Sequence, residues 1–114
     1  MQKKAVGGNV VIRPIDKKLL IHNVKVFNQQ DLVVTDINKV RVDIKNKISP
    51  VNSYQEEQVG IKAILFIDFV NSDYTNLDCL ELGNIVEFDG ARYNIEAIET
   101  MYGYEPHHIE VRLV

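Results

Sequence analysis

The chain has no tryptophan, a single cysteine and three prolines, and no apolar run approaches the ~20 residues that a membrane helix needs. One thiol, Cys79, cannot form a disulfide within the chain, and its isolation is typical of a reducing compartment. The apolar run near the start is short and is interrupted by Arg13 and Pro14, so we expect no signal peptide and no membrane partner. The 114 residues are enough for one domain, 1–114, with a single core.

Long helical stripes are missing as well. β-branched and aromatic residues instead alternate with polar residues in short segments bounded by Gly, Asn, Asp or Pro. The strongest local signal is Asp89-Gly90, because this dipeptide supplies the positive φ angles of a tight hairpin. The alternation predicts an extended segment at 10–15 and strands at 18–27, 39–44, 61–70, 85–88, 91–98 and after Pro106. Short strands without helical crossovers predict an all-β fold, an antiparallel sheet curled into a small barrel or sandwich.

The same alternation assigns side chains to faces. Strand 61–70 is apolar on both sides, which predicts that its second side is also buried or contacts a partner. That second side carries Ile64, Phe66 and Val70. The closing strand is expected to place His108, Glu110 and Arg112 outside, as a charged ladder facing solvent or a partner. The expected core residues are Val40, Val42, Ile44, Ile61, Ala63, Leu65, Ile67, Phe69, Val86, Phe88, Tyr93, Ile95, Ala97, Ile109, Val111 and Leu113.

Charge is divided unevenly along the chain. Residues 1–48 contain ten Lys/Arg and four Asp/Glu, a net +6, whereas residues 49–114 contain three and twelve, a net −9. Such a two-signed molecule suits head-to-tail packing against copies of itself better than it suits coating duplex nucleic acid. Two solvated surfaces that meet no partner explain the same numbers, so charge alone leaves both interpretations open.

The histidines do not predict a metal site. His107 and His108 are neighbours in a predicted strand and therefore point to opposite faces. His108 and Glu110 are too few ligands for one ion, and His22 is a weak candidate for a third. We therefore expect neither a metal nor another cofactor.

Catalytic arrangements are not evident either. No serine or cysteine lies in a nucleophile elbow, and Gly7-Gly8 precedes no phosphate-loop lysine. Asp68 and Asp73 are more typical of strand-edge charges than of an acid–base pair. The sequence predicts that this protein is not an enzyme.

Several stretches occur in a characteristic order: RPIDKKLLIHNVKV, VGIKAILFIDFVNS, LGNIVEFDGARYNIEAIE and EPHHIEVRLV. The most distinctive are the ILFID strand, the G-x-x-x-x-F-D-G-x-x-Y hairpin from Gly83 to Tyr93, and the Pro-His-His of the last strand. In this order and spacing, most of the chain resembles the small minor capsid proteins of the head-completion type, found in tailed phages and prophages of Gram-positive bacteria.

The resemblance implies a small SH3-like, head-completion-like β-barrel with a long loop, 45–60, between two strands. It implies a ring, dodecameric on the portal axis, that binds below the portal or adaptor protein, closes the DNA exit channel and presents a surface for the tail completion protein. It also implies a location in the virion at the head–tail interface, after assembly in the cytoplasm of the host bacterium.

Three groups of residues carry these expectations. The channel or adaptor loop comprises Lys45, Lys47, Tyr54, Glu56 and Glu57. A basic edge that holds packaged DNA by non-specific contact comprises Lys39, Arg41, Lys45 and Lys47. The subunit interface comprises Ile64, Phe66, Asp68, His108, Glu110 and Arg112.

Two rival functions stay open at this point. One is a tail-terminator or tail-completion protein, which changes only the position within the virion. The other is a small β-barrel nucleic-acid-binding module. It is disfavoured because Phe27 and Tyr54 are the only possible aromatic neighbours in sequence of the basic group Lys39, Arg41, Lys45 and Lys47, and single-strand binding relies on stacking.

Overall fold

Six strands and one short 3-10 turn make up the regular structure of the described residues. The computed structural model describes residues 16–30, 32–45, 60–104 and 106–114. The strands are β1 His22–Phe27, β2 Val34–Ile44, β3 Ala63–Asp68, β4 Ile85–Phe88, β5 Ala91–Tyr102 and β6 Pro106–Leu113. A 3-10 turn, Lys17–Leu19, precedes β1, and the side chain of Asp16 caps it by accepting the N–H of Lys18. Within the described ranges there is no helix that could span a membrane.

The strands close into an antiparallel barrel in the order β1-β2-β3-β6-β5-β4. Two long strands turn the corners of this barrel. Residues 34–40 of β2 pair with β1 and residues 41–44 pair with β3, while residues 91–94 of β5 pair with β4 and residues 95–102 pair with β6. The all-β barrel predicted from the sequence is confirmed. The predicted long loop joins β2 to β3, and residues 46–59 of it lie outside the described residues, as does the predicted extended segment 10–15.

The core fills the barrel with aliphatic side chains from every strand. Val24 and Val26 come from β1, and the whole inner face of β3 is buried. The core cluster consists of Val24, Val26, Ile37, Val40, Val42, Ala63, Leu65, Ile67, Val86, Ile95, Ile109, Val111 and Leu113. Most of the inward residues predicted for the β3, β4 and β6 regions are therefore confirmed. Ile44, at the end of β2, is an exception because it is 38 % exposed.

A bulge in β2 explains why strict alternation fails there. Lys39 has a φ of +58°, and the pairing with β1 skips it, since His22 lies opposite Val40 and Asn23 lies opposite Asn38. The side chain of Asn23 accepts the N–H of Lys39 at 3.3 Å. Because the bulge inserts one residue, Ile37 and Val40 both point inward although they are three residues apart.

A second bulge, in β5, overturns one core prediction. Ile95 lies opposite Leu113 and Ala97 lies opposite Arg112, so the residue between them has no partner in β6. After this bulge it is Ile98, opposite Val111, that packs against the core. Ala97 shares its face with Arg112 on the outside of the barrel, and its predicted inward position is wrong.

Strand bounds also differ from those predicted. The strand predicted at 18–27 begins only at His22, because the Asp16 cap folds residues 17–19 into a 3-10 turn. The strand predicted at 61–70 is shortened to β3, since a turn starts at Phe69. Those predicted at 39–44 and 91–98 are longer in the structure because both continue around a corner of the barrel.

Candidate functional site

The six residues predicted for the subunit interface lie together on the outside of β3 and β6. Ile64 lies opposite Arg112, Phe66 opposite Glu110, and Asp68 opposite His108. Antiparallel partners share a face, and this face is opposite the one that buries Leu65 and Val111. We call these six residues the outer wall. Arg41 extends its middle row, because it lies opposite Phe66 on the β2 side.

Exposure within the outer wall differs from the sequence-based expectation. Ile64 and Phe66 are half-buried. Neither is among the large hydrophobic side chains that are exposed in the described part of the chain. His108 and Asp68 are each only 5 % exposed. The expectation that His108 faces solvent or a partner as part of a charged ladder is therefore wrong, because this subunit itself buries the ring. His108 Nε2 lies 3.2 Å from Glu110 Oε2, and its ring centroid lies 6.3 Å from that of Phe66.

The carboxylate of Asp68 builds the turn that follows β3. Its Oδ1 accepts the N–H groups of Val70 at 2.8 Å and Asn71 at 2.9 Å. The N–H of Asp68 donates to Ser72 Oγ at 2.9 Å, and Ser72 Oγ donates to the carbonyl of Lys39 at 2.6 Å. This network joins the turn to the β2 bulge. Asp68 thus has a structural role that does not depend on whether a partner contacts the outer wall.

The three histidines occupy different environments. His22 Nδ1 accepts the N–H of Val42 at 3.0 Å, which leaves that nitrogen engaged with the backbone next to the β2 bulge. His107 lies against Gly103, where a Cβ would come within 3.1 Å of the imidazole Nε2. Across the residues that the structure describes, no group of three or more His, Cys, Asp or Glu side chains is arranged to hold a metal ion.

The predicted basic edge is partly neutralised by carboxylates. Lys39 Nζ lies 3.7 Å from Asp73 Oδ2, and Lys45 Nζ lies 3.0 Å from Asp43 Oδ2. Arg41 has no such partner within the described chain, and Lys47 lies outside it. Because of these ion pairs, the net positive charge of the edge is smaller than its four basic residues indicate in sequence.

One more cation of the first half is also paired. Lys25 Nζ lies 2.8 Å from Asp36 Oδ1 on β2. The hydrogen bond to Asp36, its charge and that of Glu87 raise the pKa of Lys25, so this lysine is a firmly charged member of a mixed cluster. The surface of β1, β2 and β4 therefore carries both signs at close range.

The overall division of charge nevertheless persists in the barrel. Residues 16–30 and 32–45 contain six Lys/Arg and three Asp/Glu, a net +3, and they form the adjacent strands β1 and β2 with their flanks. Residues 60–104 and 106–114 contain three Lys/Arg and nine Asp/Glu, a net −6, and they form the other four strands, which are contiguous in the barrel. Within the described residues, the β1–β2 portion of the barrel therefore has a net positive charge and the portion formed by the other four strands has a net negative charge.

Sequence reasoning missed the most exposed apolar side chains. Most of them lie at or near two turns, with Leu32, Val33, Val34 and Leu82 at one and Val70, Tyr102 and Tyr104 at the other, while Ile21, which is 68 % exposed, lies just before β1. Only Val70 had been assigned to an outward face, and the rest have no signal in the alternation, because single apolar residues in turns are read as ordinary loop residues.

Comparison with known proteins gives one match. A family model described as minor capsid protein matches residues 14–113. No curated protein and no solved structure matches the chain significantly. Because the family match spans all six strands of the barrel, the chain belongs to the minor capsid protein family and is a structural protein of the phage virion.

Proposed function

We propose that this minor capsid protein is a head–tail connector of the head-closure type, from a tailed phage or prophage of a Gram-positive host. Copies form a ring below the portal or adaptor protein, close the DNA exit channel and present the surface to which the tail completion protein attaches. Family membership supports a structural role in the virion, and the observation that carries the finer assignment is the charge division of the barrel. A ring of identical subunits needs two different and complementary flanks, and portions of opposite net charge supply them.

The loop 45–60 is the proposed channel or adaptor element. Both of its ends are tied to the barrel, since the N–H of Lys45 donates to the carbonyl of Lys62 at 2.7 Å and the N–H of Lys62 donates to the carbonyl of Leu113 at 2.7 Å. A loop anchored at both ends can change in length or sequence without moving the strands. The residues proposed to close the channel or contact the adaptor are Lys45, Lys47, Tyr54, Glu56 and Glu57.

Contact with packaged DNA is proposed to be weak and independent of sequence. Arg41 has no carboxylate partner in the described chain, while Lys39 and Lys45 share theirs with Asp73 and Asp43. Few free cations mean that few phosphate counterions are released, so binding should disappear at moderate salt. A gel-shift titration with salt separates this behaviour from that of a dedicated nucleic-acid-binding module, which should bind tightly and stack bases on aromatic residues.

The deciding experiment images DNA-filled heads by negative stain with and without the protein. A head-closure protein should add density below the portal, reduce DNA leakage and make the heads competent to accept tails. A matched pull-down uses isolated portal–adaptor complexes in one arm and purified tails in the other. Loading onto tails but not onto portal–adaptor complexes would replace the proposal with a tail-terminator or tail-completion role.

A further inference from the structure

Lys39 occupies an unusual backbone position at the bulge of β2. Its φ of +58° is left-handed, a conformation that glycine adopts freely and that other residues adopt at a cost in free energy. The surroundings hold this geometry, since the N–H of Lys39 donates to Asn23 Oδ1 at 3.3 Å and its carbonyl accepts the hydroxyl of Ser72 at 2.6 Å. A lysine therefore stands at a position where glycine would be less strained.

The side chain of Lys39 contributes little to the stability of the fold. It is 64 % exposed, and its amine lies 3.7 Å from the carboxylate of Asp73, whose side chain is 62 % exposed. Ion pairs between two exposed side chains stabilise a protein only slightly. Backbone strain without a compensating contact is typical of residues whose function lies outside the fold.

The bulge places Lys39 at a pocket on the surface of the barrel. Three segments meet there, namely the 3-10 turn, the β2 bulge and the turn that follows β3. The pocket has a volume of about 380 Å³, which is ample for a phosphate group, and it is lined by Lys17, Leu20, Lys39 and Asn71. Lys17 was not predicted to contact DNA, and neither Arg41 nor Lys45 of the predicted basic edge lines this pocket.

The charges around the pocket leave two amines available to an anion. The segments that form it carry three lysines and three aspartates in the described chain: Lys17, Lys18, Lys39, Asp16, Asp68 and Asp73. Asp68 is buried and accepts two backbone N–H groups, and Asp16 Oδ1 accepts the N–H of Lys18. Of the three aspartates, Asp73 is the one that pairs with a lysine of the pocket, at 3.7 Å from Lys39. Lys17 has no ion-pair partner among the described residues.

We infer that Lys17 and Lys39 bind phosphate groups of packaged duplex DNA at this pocket, and that the left-handed backbone at Lys39 serves this contact. The inference rests on the proposed function, in which the ring surrounds the DNA exit channel, and it names the cations that face the DNA. A lysine amine contacts phosphates without reading bases, so the contact is independent of sequence and sensitive to salt. Two contacts in one subunit are weak, and a ring repeats them around the duplex.

NMR titration of isotope-labelled protein with a short duplex of random sequence at low salt tests the location of the contact. Weak binding still shifts amide signals, and we expect the largest shifts around Lys17, Lys39 and Asn71, diminishing as salt is added. Shifts confined to the Arg41–Lys45 region, or no shifts with millimolar protein and DNA, would overturn the inference. Inorganic phosphate is the second titrant, and binding of phosphate as tight as that of the duplex would assign the pocket to small anions instead.

Three substitutions separate the charge of Lys39 from its backbone strain. Lys39→Gln and Lys17→Gln each remove one phosphate contact, so duplex affinity should fall roughly tenfold at low salt and the slope of log K against log salt should decrease by about one. Lys39→Gly removes the same contact and also relieves the left-handed strain. It should therefore lose as much affinity as Lys39→Gln, while its thermal unfolding midpoint is higher than that of Lys39→Gln.

Lys62→Gln is the matched control for the loss of one positive charge. Lys62 is exposed and lies just before β3, whereas Asn71 of the pocket follows the other end of that strand. This variant should bind the duplex like the wild type. An equal loss of affinity in Lys62→Gln, wild-type affinity in Lys39→Gly, or a Lys39→Gly midpoint below that of Lys39→Gln would each contradict the inference.

Failure of this inference is distinguishable from failure of the proposed function. If the double variant Lys17→Gln/Lys39→Gln still loads onto DNA-filled heads and retains their DNA, the connector role stands and the DNA contact lies elsewhere. If the pocket variants lose duplex binding while the wild type does not load onto heads, the phosphate contact stands and the head-closure role fails.

Discussion

At the scale of single residues, Asp68 determines the structure of one end of the barrel. Its carboxylate accepts two backbone N–H groups and is almost fully buried. We predict that Asp68→Ala lowers the free energy of unfolding by about 2 kcal/mol, because the donors of Val70 and Asn71 lose their acceptor in a partly buried site. Asp68→Asn retains a carbonyl oxygen and should cost about half as much. Urea unfolding measures both.

The control for this prediction is Glu96→Ala, which removes an exposed carboxylate and should change stability by less than about 0.5 kcal/mol. Equal losses in Asp68→Ala and Glu96→Ala would show that the turn does not depend on the Asp68 carboxylate.

Cys79 carries a second prediction at this scale. Burial raises the pKa of its thiol, against the opposing effect of a hydrogen bond with Thr35. The thiolate is the reactive form, so we expect slow reaction with a disulfide reagent at neutral pH and acceleration only at more alkaline pH than for an ordinary thiol. Because the folded state holds this proton more tightly, stability should also fall as the pH rises past the ordinary thiol value.

Reaction rates of the folded and urea-unfolded protein, measured across pH, test this prediction. Superimposable rate profiles for the two states would contradict it.

Individual side chains were the least predictable feature from sequence. Alternation correctly placed Ile109, Val111 and Leu113 in the core, since a strand with one face toward the core obeys the two-residue period. It gave no indication that His108 is buried, because that burial comes from neighbours such as Phe66 and Glu110 on other parts of the sheet or strand. Asp68 was interpreted as a strand-edge charge. The N–H groups that donate to its carboxylate belong to the turn after β3, and the alternation of residues does not predict the geometry of that turn.

At the scale of elements, the β4–β5 hairpin depends on two residues with positive φ. Asp89 has a φ of +53° and Gly90 has a φ of +82°. A Cβ at Gly90 would meet no atom within 4 Å, so the cost of Gly90→Ala is confined to the backbone. We predict a loss of about 1 kcal/mol in thermal or urea unfolding, from the cost of the left-handed conformation.

Asp89→Asn is the matched control, because asparagine tolerates this conformation and should leave stability nearly unchanged. A Gly90→Ala variant as stable as the wild type would mean that the turn relaxes to another type.

The elements themselves were largely predictable, and their bounds were not. The Asp-Gly signal gave the β4–β5 hairpin because the turn is encoded in two adjacent residues. The bulges near Lys39 and between Ile95 and Ala97 escaped prediction, since each is fixed by a partner strand far away in sequence. Both bulges lie in β2 and β5, the two strands that turn the corners of the barrel.

At the scale of the whole molecule, we predict that the loop between β2 and β3 contributes to function but little to the stability of the fold. Replacing residues 46–58 with a short Gly-Ser linker should change the unfolding midpoint little, because loop closure depends weakly on length and the anchors at Lys45 and Lys62 remain. On the proposed function, heads assembled with this variant should leak DNA or fail to accept tails. DNA retention and tail joining are measured alongside thermal unfolding, and fully infectious particles would exclude the loop from channel closure.

Fold class was predictable at this scale and surface organisation only in part. The division of charge along the sequence survives in the barrel because β1 and β2 are adjacent in space as well as in the chain. The exposed apolar side chains near the turns were missed because alternation assigns side chains to faces only within strands.

The way β2 and β5 turn the barrel corners has a mechanical consequence. β2 pairs first with β1 and then with β3, and β5 pairs first with β4 and then with β6, so tension applied to one half of the barrel is transmitted through continuous backbone to the other half. On the proposed function, pressure from a packed genome would therefore load both halves of the barrel together and would not peel them apart one after the other. Forced extension of a single subunit between its ends should accordingly show one cooperative rupture, without a plateau for a half-opened barrel.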